Sequence, residues 1–179
     1  MICTDLDGTL LNDDYQISPE NEEAIRYFQA EGGRLTFITG RLYCFAQGSY
    51  DPQEIDRLEQ LLKSHPASEN FTLVRSVPTL FEILPKGIHK GTVLPVLAKQ
   101  LGIWEDRVIA IGDYDNDAGM LKTAHLGVAV ANATEKAKAA ADVITVSNQE
   151  HALAQLTTTW KQATCQCMHR SSRKNIPVL

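Results

Sequence analysis

Aromatic residues make up only 7% of this 179-residue chain, and long apolar runs are missing altogether. No stretch approaches the roughly 18 consecutive apolar residues of a membrane-spanning helix, so no membrane partner is expected. A secretory leader is not seen either. Met1-Ile2-Cys3-Thr4-Asp5 opens directly, without a basic n-region or an apolar h-region, and a cytoplasmic location is expected. Cysteine is sparse and unpatterned. Cys3, Cys44, Cys165 and Cys167 have no disulfide-scaffold spacing, and the C-x-C of the last two lacks a second ligand pair for zinc. Positive charge is in deficit, with a formal net charge of −5. The basic residues after Lys161 have no interleaved aromatics. A nucleic-acid partner is therefore not expected, since it would call for a basic footprint or stacking platforms. An anionic substrate would need local help, from a metal or from aimed N–H groups.

What is present is enough hydrophobic residue, 44%, to bury a core. Short apolar runs alternate with helical stretches, the pattern of βαβ units around a parallel sheet. Ile2–Leu6 reads as a first strand, short because only four residues precede Asp5, and so short of ladder hydrogen bonds. Ser18-Pro19 opens a helix with Ser as cap and Pro at the first turn, and Gly32-Gly33 ends it. Leu35–Ile38 is a second strand. Further strands are read at Val108–Ile111, Gly127–Val130 and Val143–Val146. Helices are read at Gly91–Leu101, around Met120 and Leu121, at Thr134–Ala141 and at Glu150–Trp160.

The middle of the chain reads differently. Asp51-Pro52-Gln53-Glu54 has the form of a capping box, followed by Ile55, Leu58, Leu61 and Leu62 on one helical face. Phe71–Val77 and Thr79–Leu84 then read as two strands of a hairpin. The expected organisation is an α/β, Rossmann-like core from residues 1–45 and 86–160. A small αββ insert occupies 46–85, and a tail without ordered structure runs over 161–179.

Asp5 and Asp113 fall at strand ends, and Asp7 lies two residues past the first. Ligands of a parallel α/β sheet bind outside the carboxyl ends of its strands, so these acids should converge in one crevice. Converging carboxylates repel one another unless a cation joins them, and oxygen-only ligands suit Mg²⁺. The same crevice fits a phosphate. Thr39 offers a hydroxyl, Leu6, Asp7, Gly8 and Gly40 offer backbone N–H groups, and Lys90 sits at a helix start that already favours anions. Asp5 could attack phosphorus as a nucleophile, while Asp7 moves protons as acid and base.

These stretches resemble the motifs of the haloacid dehalogenase superfamily. Asp5-Leu6-Asp7-Gly8-Thr9 is similar to its D-x-D-G-T motif, and Phe37-Ile38-Thr39-Gly40-Arg41 to its second motif. Lys90 is similar to the lysine of its third motif, and Gly112-Asp113-Tyr114-Asp115-Asn116-Asp117 to its G-D-x-x-N-D motif. The wording is closest to the Cof-like hydrolases with a type IIB cap, through Thr-Gly-Arg, Lys86 to Gly91, Asn132-Ala133 and Asn148. The resemblance implies Asp5 as nucleophile, Asp7 as acid/base and Thr39 and Lys90 on the phosphate. It places Mg²⁺ on Asp5, the Asp7 carbonyl and Asp113, with Asp117 supporting the metal site and Asn116 reaching the phosphate. Arg41 is left between substrate binding and a surface ion pair. Lys86 competes with Lys90, and the family position favours Lys90.

The insert is shorter than the resemblance implies. Residues 50–85 match one αββ half of a type IIB cap, so the site should be open and the hairpin edge exposed. That edge should pack on the core or pair two copies into a homodimer. The function expected is Mg²⁺-dependent hydrolysis of a small phosphorylated metabolite, such as a sugar phosphate or nucleotide, through an aspartyl-phosphate. The alternative is a protein that binds phosphate or metal without turnover.

Overall fold

The computed structural model describes residues 1–39, 52–77 and 80–159. Five parallel strands form one sheet in the order β2-β1-β5-β6-β7. They are β1 (Ile2–Thr4), β2 (Leu35–Phe37), β5 (Ile109–Gly112), β6 (Leu126–Ala129) and β7 (Val143–Ile144). Helices α1 (Pro19–Ala30), α3 (Lys90–Gln100), α4 (Ala118–Thr123) and α5 (Glu135–Ala140) connect or follow them. The α/β reading is thereby shown. β1 lies between β2 and β5, so chain order reverses direction across it. The crevice at such a switch point opens at the carboxyl ends of β1 and β5, where Asp5 and Asp113 stand.

The first strand stops at Thr4 instead of running on to Leu6, because past Asp5 the chain enters a loop. It is nevertheless paired on both sides, contrary to the sequence expectation. Ile2 N–H donates to the Arg34 carbonyl and Asp5 N–H to the Ile111 carbonyl, while Ile38 and Ile109 N–H groups donate to Thr4 and Met1 carbonyls. Being interior to the sheet lets three residues draw bonds from two neighbours. Ile2, Cys3 and Thr4 are all buried. Ile2 and Cys3 join Leu10, Val108, Ile111, Met120, Leu121, Val128, Val130 and Leu153 in one core. Fully burying each large apolar side chain contributes roughly 1.5–3 kcal/mol before chain entropy is counted.

Local signals account for the starts of α1 and α5. The Ser18 hydroxyl accepts from Asn21 N–H at 3.3 Å, and Thr134 caps α5 by accepting from Ala137 N–H at 3.2 Å. Two endings differ from the sequence reading. The last strand covers only Val143–Ile144. The last helix, α6 over residues 152–159, does not begin at Glu150, because His151 takes a left-handed conformation at φ 62° and separates it from a single turn at Asn148–Glu150.

Residues 52–85 form α2 (Pro52–Ser64) and an antiparallel pair, β3 (Phe71–Val77) with β4 (Leu80–Pro85). Arg75 on β3 ties the unit together through Asp56 and Glu59 of α2, each at 3.0 Å. The expected apolar face of α2 is only partly used. Ile55 is buried and Leu62 half-buried, while Leu58 and Leu61 are exposed. A two-stranded sheet is too narrow to cover the full stripe of a 13-residue helix. The Asp51 cap and the 161–179 tail lie outside the described residues.

Candidate active site

The first βα loop carries Asp5, and its sequence dictates its path. Asp7 is extended, Gly8 is left-handed at φ 73°, and Leu11 N–H closes the loop on the Leu6 carbonyl at 2.9 Å. Glycine takes that conformation without steric cost. It is also required for space, since a Cβ at Gly8 would stand 2.4 Å from Asp113 Oδ2. The loop therefore presses directly against the second acidic strand end.

Asp5, Asp113 and Asp117 converge there. Each offers one carboxylate oxygen, and the three oxygens lie within 4.8 Å of one another. Lys90, the first residue of α3, donates to Asp5 Oδ1 and to Asp117 Oδ1 at 2.6 Å each. Asp117 is completely buried, and its Oδ2 accepts from the N–H groups of Asp113 and Tyr114 at 3.0 Å. It thus closes the turn that begins at Asp113 and holds the lysine at once. The hydroxyl of Thr9 donates to Asp113 Oδ1 at 2.9 Å. Lys86, the competitor of Lys90, is exposed and outside this cluster.

The approach of α3 to the site depends on two small residues. A Cβ at Gly91 would lie 2.6 Å from the Gly119 carbonyl carbon, so only glycine lets α3 come this close to α4. Lys90, one residue earlier, is delivered to Asp117 by that contact. His89 caps α3, its Nδ1 accepting from Gly91 N–H at 3.2 Å.

The electrostatics follow from crowding acids in a dry crevice. Burial, with Asp117 beside it, pushes the Asp5 carboxyl up to about 6 against the pull of Lys90. Burial, with Asp117 and Asp5 nearby, pushes Asp113 up to about 7. Burial pulls Lys90 down, but Asp117 and Asp5 together outweigh it and hold the amine above its ordinary value. Three acids against one amine leave a site short of positive charge, all its acidic donors being hard oxygens. Such a set fits a divalent cation, which Asp5 and Asp113 could share.

Asp7, Asn116 and Thr39 are half-buried residues of the loops after β1, β5 and β2. Asp7 does not bring its carboxylate into the three-acid cluster; the sequence reading gave the metal its carbonyl. The Leu6 N–H is bonded to the Asp5 carboxylate. Gly40 and Arg41 lie outside the described residues. Sequence reasoning passed over Thr9, whose hydroxyl sits on Asp113, although the D-G-T wording marked the position. It flagged Asn132 and Asn148 only by family position and gave them no role.

A family model described as haloacid dehalogenase-like hydrolase matches residues 2–51 and 44–156. The chain is similar to Phosphatase YwpJ of Bacillus subtilis, 41% identical over 101 residues, covering 56% of this chain and 35% of that protein. It is also similar to 5-amino-6-(5-phospho-D-ribitylamino)uracil phosphatase YcsE of Bacillus subtilis, 26% identical over 236 residues, covering 89% and 95%. That alignment is longer than this chain, so the relative has internal residues that face a gap here. The chain spans less than two fifths of the first curated relatives it matches. One of these is Endoribonuclease YBEY, chloroplastic, of Arabidopsis thaliana, 42% identical over 91 residues, covering 51% of this chain and 16% of that protein. Among solved structures it resembles a haloacid dehalogenase-like hydrolase from Bacteroides thetaiotaomicron. The TM-score is 0.76 at 23% identity, over 88% of this chain and 97% of that one, a likeness of fold.

Proposed function

The chain belongs to the haloacid dehalogenase-like hydrolases, and on that premise we propose that it is a Mg²⁺-dependent phosphatase of small phosphorylated metabolites. A sugar phosphate or a nucleotide-like phosphate is the substrate class. The observation that carries this reading is the Lys90 amine, 2.6 Å from both Asp5 and Asp117, beside Asp113 at the sheet's switch point. Phosphatases among its relatives support the same class.

In this mechanism an Asp5 carboxylate oxygen attacks phosphorus, forming a P–O bond to Asp5 as the bond to the leaving alkoxide breaks. Asp7 gives its proton to that alkoxide. Asp7 then takes a proton from water, whose oxygen attacks the aspartyl-phosphate, releasing inorganic phosphate and restoring Asp5. Lys90 orients the nucleophile and balances charge on the transferring group, together with the Thr39 hydroxyl and Asn116. Mg²⁺, bound by Asp5, the Asp7 carbonyl and Asp113 with Asp117 in support, would offset phosphoryl charge. Gly8 and Gly40 N–H groups and Arg41 complete the phosphate contacts of this reading.

The insert of one helix and two strands would cover less of the site than a full cap, which favours a broad substrate range. Its outward Leu58, Leu61 and Ile83 support pairing of two copies through this unit.

The test is hydrolysis of p-nitrophenyl phosphate with Mg²⁺. Asp5→Asn should lower kcat by roughly 10⁴-fold or more, as loss of a covalent nucleophile does. Equal turnover by the variant, or none by the unaltered protein, would replace the enzyme with a phosphate- or metal-binding protein.

A further inference from the structure

The loop between β6 and α5 contributes no acid, amine or hydroxyl to the cluster, yet it grips both acidic loops. Val130 N–H donates to the Gly112 carbonyl at 3.2 Å, and Thr134 N–H to the Asp113 carbonyl at 2.8 Å. Between them, Asn132 Nδ2 donates to the Gly8 carbonyl at 2.7 Å, across 124 residues of sequence. Asn132 is itself oriented, because its Oδ1 accepts from Asn148 N–H at 3.0 Å. The Asn148 side chain in turn donates to the Leu11 carbonyl at 2.9 Å, at the far end of the same nucleophile loop.

These bonds have a specific geometric consequence. Fixing the Gly8 carbonyl fixes the planar peptide between Gly8 and Thr9. Asp7 is bonded to Gly8 on one side, and the Thr9 hydroxyl holds Asp113 Oδ1 on the other. One amide therefore sets the loop of Asp5 and Asp7 against the strand end of Asp113. Gly8 has the least intrinsic preference of any residue at that point, so an outside anchor has the most to decide there.

We propose that Asn132 is a positioning residue of the phosphatase site. Its Nδ2–Gly8 hydrogen bond holds the Asp7–Thr9 segment in register with Asp113 for metal and phosphate. The inference rests on the phosphatase reading and goes beyond it, since Asn132 touches none of the reacting groups. Asn132 is exposed, so removing its side chain costs little packing and the variants should fold.

The experiment compares Asn132→Ala and Asn132→Asp with the unaltered protein. Asn132→Asp keeps an acceptor for Asn148 N–H and replaces the donor to Gly8 with a carboxylate oxygen, while Asn132→Ala removes the donor without adding charge. Two quantities are read. One is kcat and KM for p-nitrophenyl phosphate. The other is the Mg²⁺ concentration at half-maximal rise in Tm, measured without substrate. Both variants should lose about 10–100-fold in kcat and need about tenfold more Mg²⁺, the range seen when a residue orienting a metal ligand is removed. KM should change little. Unchanged kcat and Mg²⁺ midpoint in Asn132→Asp overturns the proposal, whatever Asn132→Ala does to Tm, because Asn132 then serves only the Asn148 contact. Absence of hydrolysis by the unaltered protein counts against the phosphatase reading instead, and the Mg²⁺ midpoint still decides the placement of Asn132.

Discussion

Lys90 and Asp117 meet at 2.6 Å, and Asp117, with no exposure to solvent, makes this one of the most enclosed ion pairs among the described residues. The same amine reaches Asp5 at 2.6 Å. A single cation thus answers two carboxylates, one the proposed nucleophile and the other the anchor of the Asp113 turn.

Removing that cation leaves both acids buried together. Lys90→Met should destabilise the metal-free protein by about 3–5 kcal/mol, the usual cost of stranding a buried charge. Its kcat should fall by about 10²–10³-fold through loss of charge stabilisation on the phosphoryl group. Urea unfolding and steady-state kinetics read the two effects. Stability equal to the unaltered protein would mean that the ion pairs contribute nothing.

The metal-free protein should lose stability as pH rises from about 4 to 7. Asp5 and Asp113 are held up to about 6 and about 7, against an ordinary value of 3.8. In that window the folded state keeps protons that the unfolded chain has released, so stability falls with rising pH. Mg²⁺ needs the deprotonated acids, and its effect should grow through the same window. Tm measured with EDTA and with Mg²⁺ at pH 5 and 7.5 tests this. A Mg²⁺ increment as large at pH 5 as at pH 7.5 would contradict it.

Gly8→Ala should damage the site more than the fold. The left-handed backbone costs a residue with a Cβ roughly 1–2 kcal/mol. Gly102, at φ 65° with nothing within 4 Å of its Cβ position, is the matched control. Gly102→Ala should carry a similar loss in Tm with unchanged kcat. Gly8→Ala should add at least about a tenfold loss in kcat, because its Cβ displaces Asp113, a proposed metal ligand. Equal kcat in the two variants would show that the Gly8–Asp113 approach is immaterial to catalysis.

Pairing through the insert is expected to be apolar in origin. Leu61→Lys, at a residue 64% exposed, should shift a dimer toward monomer in sedimentation velocity without lowering Tm. A protein that sediments as a monomer before substitution would remove the homodimer from the account.

Much of the site was readable from the chain because its signals are local. Asp5-Leu6-Asp7-Gly8-Thr9 follows a strand, Gly112-Asp113 ends another, and Lys90 starts a helix; periodicity and turn chemistry place all three. The α/β class and the helix cap at Ser18 came from the same source. The misread ends have two causes: the limits of β1 and β7 depend on which neighbours supply hydrogen bonds, and the start of α6 is set by His151, whose left-handed backbone breaks a helical pattern.

By itself the sequence determined which chemical groups the chain carries and which strand and helix ends bear them, since apolar period and turn propensity are properties of a few adjacent residues. Only the tertiary structure decided that Lys90 pairs with Asp117, that Thr9 holds Asp113 and that Asn132 anchors Gly8. Those contacts join residues 27, 104 and 124 positions apart. They exist because the strands assemble in the order β2-β1-β5-β6-β7, which is fixed by pairing across the sheet and leaves no periodic trace along the chain.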